Sequence, residues 1–179
     1  MIRTATAADA AGVQAIYAPE VEHGTASFET EPPGVEEMAR RIAATLPTYP
    51  WLVCEGDGRV LGYAYASRHR DRAAYRWSVD VAVYVTPSAR GRGVARALYA
   101  RLFEVLTRQR FRAAYAGVAA PNPASEALHK ACGFEPVGVY RDVGFKHGKW
   151  RSVGWWRRGL WESDGDPPEP IPFARMTVE

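Results

Sequence analysis

One stretch limits the possible folds of this chain more than any other, because a strand, a glycine-bearing turn and a helix follow one another without interruption. The segment Trp77–Val85 (WSVDVAVYV) is rich in β-branched residues, which predicts a strand in the centre of a sheet. Apolar residues at helical spacing then predict a helix over Gly91–Gln109. A strand that leads directly into a helix is typical of α/β proteins.

The turn between these elements, Arg90-Gly91-Arg92-Gly93, has the chemistry of an anion-binding site. Glycines let backbone N–H groups approach a ligand closely, and the helix N-terminus contributes the positive end of its dipole. Two arginines add charge-assisted hydrogen bonds. The turn therefore predicts a pyrophosphate site. The alternative is a plain glycine-containing turn between a strand and a helix.

The remaining elements alternate between strands and helices over residues 1–160, which we expect to form a single domain. A Gly56–Asp57–Gly58 turn predicts a tight hairpin. The other predicted elements are strands at Ile2–Thr4, 51–55, 60–67, Ala113–Ala119, Glu135–Tyr140 and Ser152–Leu160, and helices at Ala7–Tyr17, Val35–Leu46 and from Asn122 to Gly133. This order predicts an α/β fold with a mixed sheet flanked by helices. Residues 161–179 are predicted to form a proline-rich C-terminal extension over the surface.

Composition narrows the possible partners. The chain has 179 residues and a net charge of +3, and its basic residues cluster only around 68–76 and 90–96. A nucleic-acid-binding protein usually carries a longer basic face, so we expect a phosphate-bearing cofactor and no nucleic acid. Two cysteines, Cys54 and Cys132, predict neither a disulfide framework nor a metal site. No apolar segment predicts a membrane span or signal peptide, so a cytoplasmic location is expected.

The glycine-bearing turn resembles the GNAT superfamily signature [Q/R]-x-x-G-x-[G/A], and Val83-Tyr84-Val85 precedes it as in that superfamily. A second block, Asn122-Pro-Ala-Ser125 followed by Leu128-His129-Lys-Ala-Cys-Gly-Phe134, resembles the superfamily's other signature. The resemblance implies a mostly antiparallel sheet whose central strands splay apart around the pantetheine arm of acetyl-CoA, with a bulge in the first of them. It assigns acetyl-CoA binding to Val83, Tyr84, Val85, Arg90, Gly91, Arg92, Gly93, Val94, Ala95, Arg96, Asn122 and Ser125. Asn122 is equally suited to capping the helix that follows it.

A narrower resemblance, to the phosphinothricin acetyltransferases, extends over almost the whole chain. The blocks that carry it are Ser27-Phe-Glu-Thr-Glu-Pro32, Tyr49-Pro-Trp-Leu-Val53, Gly62-Tyr-Ala-Tyr65, Ala74-Tyr-Arg-Trp77, Val83-Tyr-Val85 and Gly144-Phe-Lys-His-Gly-Lys-Trp150. The resemblance implies an N-acetyltransferase that acts on the amine of phosphinothricin, methionine sulfoximine or a related amino-acid analogue. It also implies a homodimer.

The resemblance assigns catalytic roles as well. That family has a glutamate five residues before the last valine of Val-Tyr-Val, and here Asp80 stands there. A carboxylate on a buried strand can act as a general base, directly or through water; the alternative is a structural aspartate. The Val85 N–H is implied as the oxyanion donor. His129 is implied as the acid for the leaving thiolate, unless it only caps or packs.

For the acceptor, a substrate carboxylate suits a guanidinium, and Arg76 lies just upstream of Asp80. Phe28, Tyr75 and Trp77 are expected to wall the pocket, with Lys146 nearby, although each of these side chains is also suited to packing. Other possible functions are acetylation of a protein N-terminus, a polyamine or an aminoglycoside, a non-catalytic CoA-binding protein, and a nucleic-acid module that uses residues 68–76.

Overall fold

The computed structural model describes residues 1–162 and 165–176, so residues 163–164 and 177–179 of the predicted extension lie outside the described residues. The described residues form seven strands and four α-helices. The strands are β1 (Ile2–Thr4), β2 (Trp51–Gly56), β3 (Arg59–Arg68), β4 (Ser78–Val85), β5 (Ala113–Ala120), β6 (Glu135–Lys146) and β7 (Lys149–Gly159). The helices are α1 (Ala10–Glu22), α2 (Val35–Thr45), α3 (Val94–Arg108) and α4 (Pro123–Ala131). The predicted single-domain α/β fold is confirmed.

The strands form one sheet in the order β1-β2-β3-β4-β5-β7-β6, in which β4 and β5 are the only parallel neighbours in the described chain. These two strands pair only from Ser78↔Ala113 to Asp80↔Tyr115. Beyond Asp80 they separate, which confirms the expected splay. The bulge expected in β4 is wrong, since the β3–β4 register runs without a shift.

Each face of the sheet carries its own apolar cluster. Val79 and Val81 of β4 are buried with Leu98 of α3 on one face. Because side chains alternate along a strand, Asp80 and Tyr84 lie on the opposite face, where Tyr84 packs against the cluster formed by α1 and α2. β4 therefore presents its carboxylate on the α1/α2 face and its valines on the α3 face.

Several boundaries differ from the sequence prediction. Helix α1 continues through Pro19 to Glu22, because Val21 is buried in the core. Helix α3 begins at Val94, since Gly91 and Gly93 have φ of 73° and 80° and form a turn. Strands β6 and β7 extend to Lys146 and from Lys149, and they are joined by a two-residue turn.

Within the C-terminal extension, residues 165–176 pack back against the domain. The fully buried Gln109 donates from Nε2 to the carbonyl oxygens of Thr48 (2.9 Å) and Ile171 (2.8 Å), and Phe173 is buried. This segment is thereby fixed against the end of α3. Of the helices in the described residues, none combines the length and apolar character needed to span a membrane.

Candidate active site

The separation of β4 from β5 opens a cavity of about 560 Å³. Strand residues Val81–Val85 and Ala116–Ala119 line its sides, and the N-terminal ends of α3 and α4 close it. The cavity is lined by all the predicted acetyl-CoA residues except Arg92: Val83, Tyr84, Val85, Arg90, Gly91, Gly93, Val94, Ala95, Arg96, Asn122 and Ser125. The sequence blocks around residues 90 and 122 therefore meet at one site.

The turn before α3 presents backbone donors to this cavity. The first helical hydrogen bond runs from the Ala97 N–H to the Gly93 carbonyl oxygen at 3.0 Å. The N–H groups that precede Ala97 have no helical partner and are available to an anion. Arg96 lines the cavity, whereas Arg90 forms an ion pair with Glu20 at 2.7 Å. The turn thus offers donors, an arginine and open space, which fit a pyrophosphate.

Asn122 caps α4, because its Oδ1 accepts a hydrogen bond from the Ser125 N–H at 3.1 Å. The capping alternative is therefore realised. Asn122 and Ser125 still line the cavity. The cap leaves the Asn122 amide nitrogen as a donor.

The backbone of β4 also faces the cavity. The Thr86 N–H donates to the Leu61 carbonyl oxygen at 2.9 Å, so it points toward β3. In a regular antiparallel ladder alternate residues point in opposite directions, which turns the Val83 and Val85 N–H groups toward β5. The ladder between β4 and β5 does not extend to these residues. Both N–H groups consequently border the cavity as donors.

At the α4 side of the cavity lies a buried pair, His129 and Tyr99. His129 Nδ1 is 2.7 Å from the Ser125 carbonyl oxygen, which only accepts, so Nδ1 carries the proton. Nε2 of the neutral ring then accepts from the Tyr99 hydroxyl at 3.1 Å. Burial lowers the pKa of His129 and raises that of Tyr99. The pair is therefore held neutral.

Asp80 directly precedes Val81, the first β4 residue that lines the cavity, and it lies opposite Tyr115 in the last paired position of β4 and β5. Its Oδ1 is 2.6 Å from Nδ1 of His69, and its Oδ2 is 4.0 Å from Arg70 Nη1. Burial raises the pKa of the Asp80 carboxyl, while the His69 hydrogen bond and the Arg70 charge oppose that rise. The net shift is upward, as expected for a carboxylate used in proton transfer.

Aromatic side chains surround this carboxylate. The His69 ring stacks on Tyr115, with centroids 4.5 Å apart and planes 18° apart. Tyr75 and Trp155 approach the same ring edge-on at 5.9 Å and 6.3 Å. Arg70 lies over Trp155 at 5.5 Å. The predicted pocket residue Tyr75 thus lies beside the histidine that contacts Asp80.

Arg76 and Trp77, which were expected to face the substrate, both contact the C-terminal extension. Arg76 donates to both carboxylate oxygens of Glu169 at 2.7–3.0 Å and lies 3.9 Å over the Trp77 ring. Trp77 Nε1 donates to the Pro168 carbonyl oxygen at 2.9 Å. Because a carboxylate of the same chain occupies the Arg76 guanidinium, Arg70 is the arginine beside Asp80.

The other two predicted substrate residues meet at the tip of the β6–β7 hairpin. Lys146 is buried and donates from Nζ to the Ser27 carbonyl oxygen at 2.7 Å, and burial lowers its pKa. Phe28 packs so closely over Gly144 that a Cβ there would meet the ring at 2.3 Å. The hairpin therefore fixes the loop between α1 and α2.

Sequence reasoning missed His69, Arg70 and Tyr99. His69 and Arg70 directly follow β3, and no motif marks them. Their position depends on the β3–β4 register, in which Ser67 lies opposite Asp80. Tyr99 belongs to the apolar face of α3, and a tyrosine at such a position usually indicates a core residue.

Comparisons with known proteins agree with this geometry. A family model described as an acetyltransferase (GNAT) domain matches residues 2–155. The chain is 44% identical to a phosphinothricin N-acetyltransferase of Alcaligenes faecalis over 90% of this chain and 83% of that protein. It is 35% identical to an L-methionine sulfoximine/L-methionine sulfone acetyltransferase of Salmonella typhimurium over 83% of this chain and 88% of that protein.

Among solved structures, the chain is similar to a GNAT superfamily phosphinothricin acetyltransferase from Sinorhizobium meliloti in complex with acetyl-CoA. The TM-score is 0.90 at 39% identity, over 97% of this chain and 96% of that one. A crystallised acetyl-CoA complex of so similar a chain supports acetyl-CoA as the co-substrate. The chain belongs to the GNAT acetyltransferase family, and it is an N-acetyltransferase.

Proposed function

We propose that this enzyme transfers the acetyl group of acetyl-CoA to the amine of phosphinothricin, methionine sulfoximine or a related amino-acid analogue. The observation that carries the proposal is the position of Asp80 where β4 and β5 separate, with Arg70 beside it. An amine and a carboxylate on one small molecule match this pair of charges. The relatives named for phosphinothricin and methionine sulfoximine support the same substrate class.

In this proposal acetyl-CoA binds along the cavity, with its pyrophosphate at the N–H groups of Gly91–Arg96. Gly91 and Gly93 suit this role because an added Cβ at either position would meet no neighbour within 4 Å, so the turn is open toward a ligand. Arg96 supplies a positive charge, and Asn122 a donor for the pantetheine arm.

Chemistry then follows from groups around the cavity. Asp80 drives removal of the proton from the substrate ammonium, since only the neutral amine attacks a thioester carbonyl. The Val85 N–H donates to the oxyanion that develops. The thiolate of coenzyme A, with a pKa of about 8.5 like that of cysteine, leaves readily. His129 and Tyr99 complete the site as a neutral hydrogen-bonded pair that can pass a proton toward the sulfur.

Arg70 is proposed to bind the carboxylate of the substrate. The Arg70 side chain is 42% exposed, and its guanidinium lies over the Trp155 ring. It forms no bidentate pair with a carboxylate in the described residues. The Arg76 guanidinium is already paired with the Glu169 carboxylate. The substrate carboxylate and Arg70 would form a charge-assisted hydrogen bond of the kind that orients a ligand.

The test is acetyl-CoA-dependent thiol release with a panel of amines. Phosphinothricin and methionine sulfoximine should be turned over, and their decarboxylated analogues should show a raised KM. Spermidine, an aminoglycoside and a peptide N-terminus provide the comparison. Preference for any of these three over the amino-acid analogues would contradict the proposed substrate class.

The enzyme is further proposed to act as a homodimer, joined through β6. This strand is at the edge of the sheet, and large apolar side chains on the β6–β7 hairpin are exposed: Val137, Val139, Tyr140, Val143, Phe145 and Trp150. A long apolar edge strand left in water is prone to further strand pairing, and a second copy of the chain would cover it. Light scattering at micromolar concentration should give twice the monomer mass, and Val139→Lys should give the monomer. A monomeric wild-type enzyme would contradict the dimer.

A further inference from the structure

His69 lies against the Asp80 carboxylate, next to Arg70, the arginine proposed to bind the substrate. Its Nδ1 lies 2.6 Å from Asp80 Oδ1, and its ring is sandwiched by the Tyr115 stack and the edges of Tyr75 and Trp155. Its side chain is 12% exposed. A histidine held by a carboxylate and aromatic rings in this way has one ring orientation.

We propose that Nε2 of His69 is the atom that takes the proton from the substrate ammonium. In this proposal Asp80 orients the ring and stabilises the imidazolium that forms, and it does not remove the proton itself. This inference rests on the proposed function, because it assigns the base of that reaction. It makes His69 a catalytic residue and Asp80 a positioning residue.

The tautomer follows from the hydrogen bond. An ionised Asp80 only accepts, so Nδ1 of His69 donates and the neutral ring carries its lone pair on Nε2. Within residues 1–162 and 165–176, no hydrogen bond to Nε2 is formed. The arrangement matches a carboxylate–histidine base. The ring is held in one orientation, Nδ1 donates to the Asp80 carboxylate, and Nε2 is left to accept a proton.

The length of the side chain at position 80 explains why a histidine is useful here. The resemblance implies glutamate at this position, and aspartate is one methylene shorter. Through the hydrogen bond, the His69 ring extends the reach of the carboxylate into the pocket. Aspartate together with His69 thus performs what a single longer carboxylate would do alone.

Protons and electron pairs balance across the transfer. Nε2 takes one proton from the ammonium, and the freed nitrogen lone pair forms the N–C bond to the thioester carbonyl. The tetrahedral intermediate then breaks its C–S bond, and the electron pair leaves on sulfur. The second nitrogen proton ends on that sulfur, so the products are the amide and the thiol. His69 returns its proton to solvent.

The charged and titratable groups that face His69 are Asp80 of β4, Arg70 after β3, Tyr75 of the following turn and Tyr115 of β5. Of these groups, Asp80 accepts the hydrogen bond from the ring. His69→Asn should lose catalysis, because the asparagine amide keeps a donor for Asp80 but has no basic nitrogen.

The experiment combines ¹⁵N spectra of histidine-labelled wild-type enzyme with pH profiles of His69→Asn, His69→Ala and the exposed control His23→Asn. We expect the neutral His69 ring to carry its proton on Nδ1. His69→Asn should lower kcat about 10²–10⁴-fold with unchanged acetyl-CoA affinity. Added imidazole should restore part of the activity of His69→Ala, and His23→Asn should match the wild type.

Three results would overturn the inference. A proton on Nε2 of the neutral ring would do so even if the variants failed to fold, because it is read from the wild type. Full activity of a folded His69→Asn would remove His69 as the base and leave the proposed function intact. A wild-type enzyme that acetylates no amine of the panel would remove the proposed function, and the assigned base with it.

Discussion

Lengthening Asp80 by one methylene should damage this enzyme, although the resemblance makes glutamate the usual residue at that position. Asp80 Oδ1 already lies 2.6 Å from Nδ1 of His69, and Tyr115 stacks behind the histidine at 4.5 Å. A further C–C bond moves the carboxylate by about 1.5 Å. The His69 ring is only 12% exposed and is contacted by Tyr75, Tyr115 and Trp155, so it has little room to retreat.

The magnitude can be derived from this crowding. Inserting a methylene into a packed site costs about 1–3 kcal/mol. At 1.36 kcal/mol for each factor of ten, Asp80→Glu should lower kcat/KM for the amine about 5- to 160-fold. In the His69→Ala background the obstacle is absent, and the longer carboxylate at position 80 can reach the ammonium directly. The same substitution should there raise activity.

A double-mutant cycle measures this reversal. The kcat/KM of wild type, Asp80→Glu, His69→Ala and the double variant is determined by thiol release with phosphinothricin. The double variant should exceed the product of the two single effects by at least about tenfold. Independent effects, or an Asp80→Glu enzyme as active as the wild type, would refute the idea that His69 occupies the space of the longer carboxylate.

Three further predictions concern other parts of the molecule. Arg70→Ala should raise the amine KM with little change in kcat, because it removes binding shared by the ground and transition states. The matched variant Arg76→Ala should leave the KM nearly unchanged. Equal effects of the two substitutions in steady-state kinetics would contradict the assignment of Arg70. Gly93→Glu should weaken acetyl-CoA binding in calorimetry, since φ is 80° there and a negative charge would face the pyrophosphate; unchanged affinity would exclude this turn as the site. The hydrogen bonds from Arg3 lower the pKa of the Asp9 carboxyl, so the ionised carboxylate stabilises the fold above its unfolded pKa and loses that effect as pH falls. Asp9→Asn should therefore lower the free energy of unfolding by about 1–3 kcal/mol at pH 7 and by much less in acid. Denaturant unfolding measures the difference, and a pH-independent difference would contradict this prediction.

The sequence was most informative where structure depends on neighbours in the chain. The order of strands and helices, the strand Ser78–Val85 and the glycine turn all follow from periodicity and turn chemistry. The start of α3 was placed three residues too early, because helical spacing continues through the left-handed Gly91 and Gly93. Residues of the cofactor cavity were accessible for the same reason, since each signature is a short continuous block.

Side-chain partners that are distant in sequence could not be predicted in this way. Arg76 looked available because its partner Glu169 is 93 residues away, in an extension with no regular pattern. His69 was missed because its relation to Asp80 exists only once β3 and β4 pair in register. Both contacts lie on the acceptor side of the site, where geometry depends on tertiary contacts.

The coenzyme side and the acceptor side of the site can change independently because β4 places side chains on both faces of the sheet. Its valines pack toward α3 beside the cavity, and the next side chain, Asp80, points to the opposite face, where His69 and Arg70 meet it. The proposed replacement of a glutamate by an aspartate–histidine pair at the acceptor face therefore leaves unaltered the turn that is proposed to hold the coenzyme. In this proposal, the end of the neighbouring strand β3 supplies the reach that the shorter side chain at position 80 lacks.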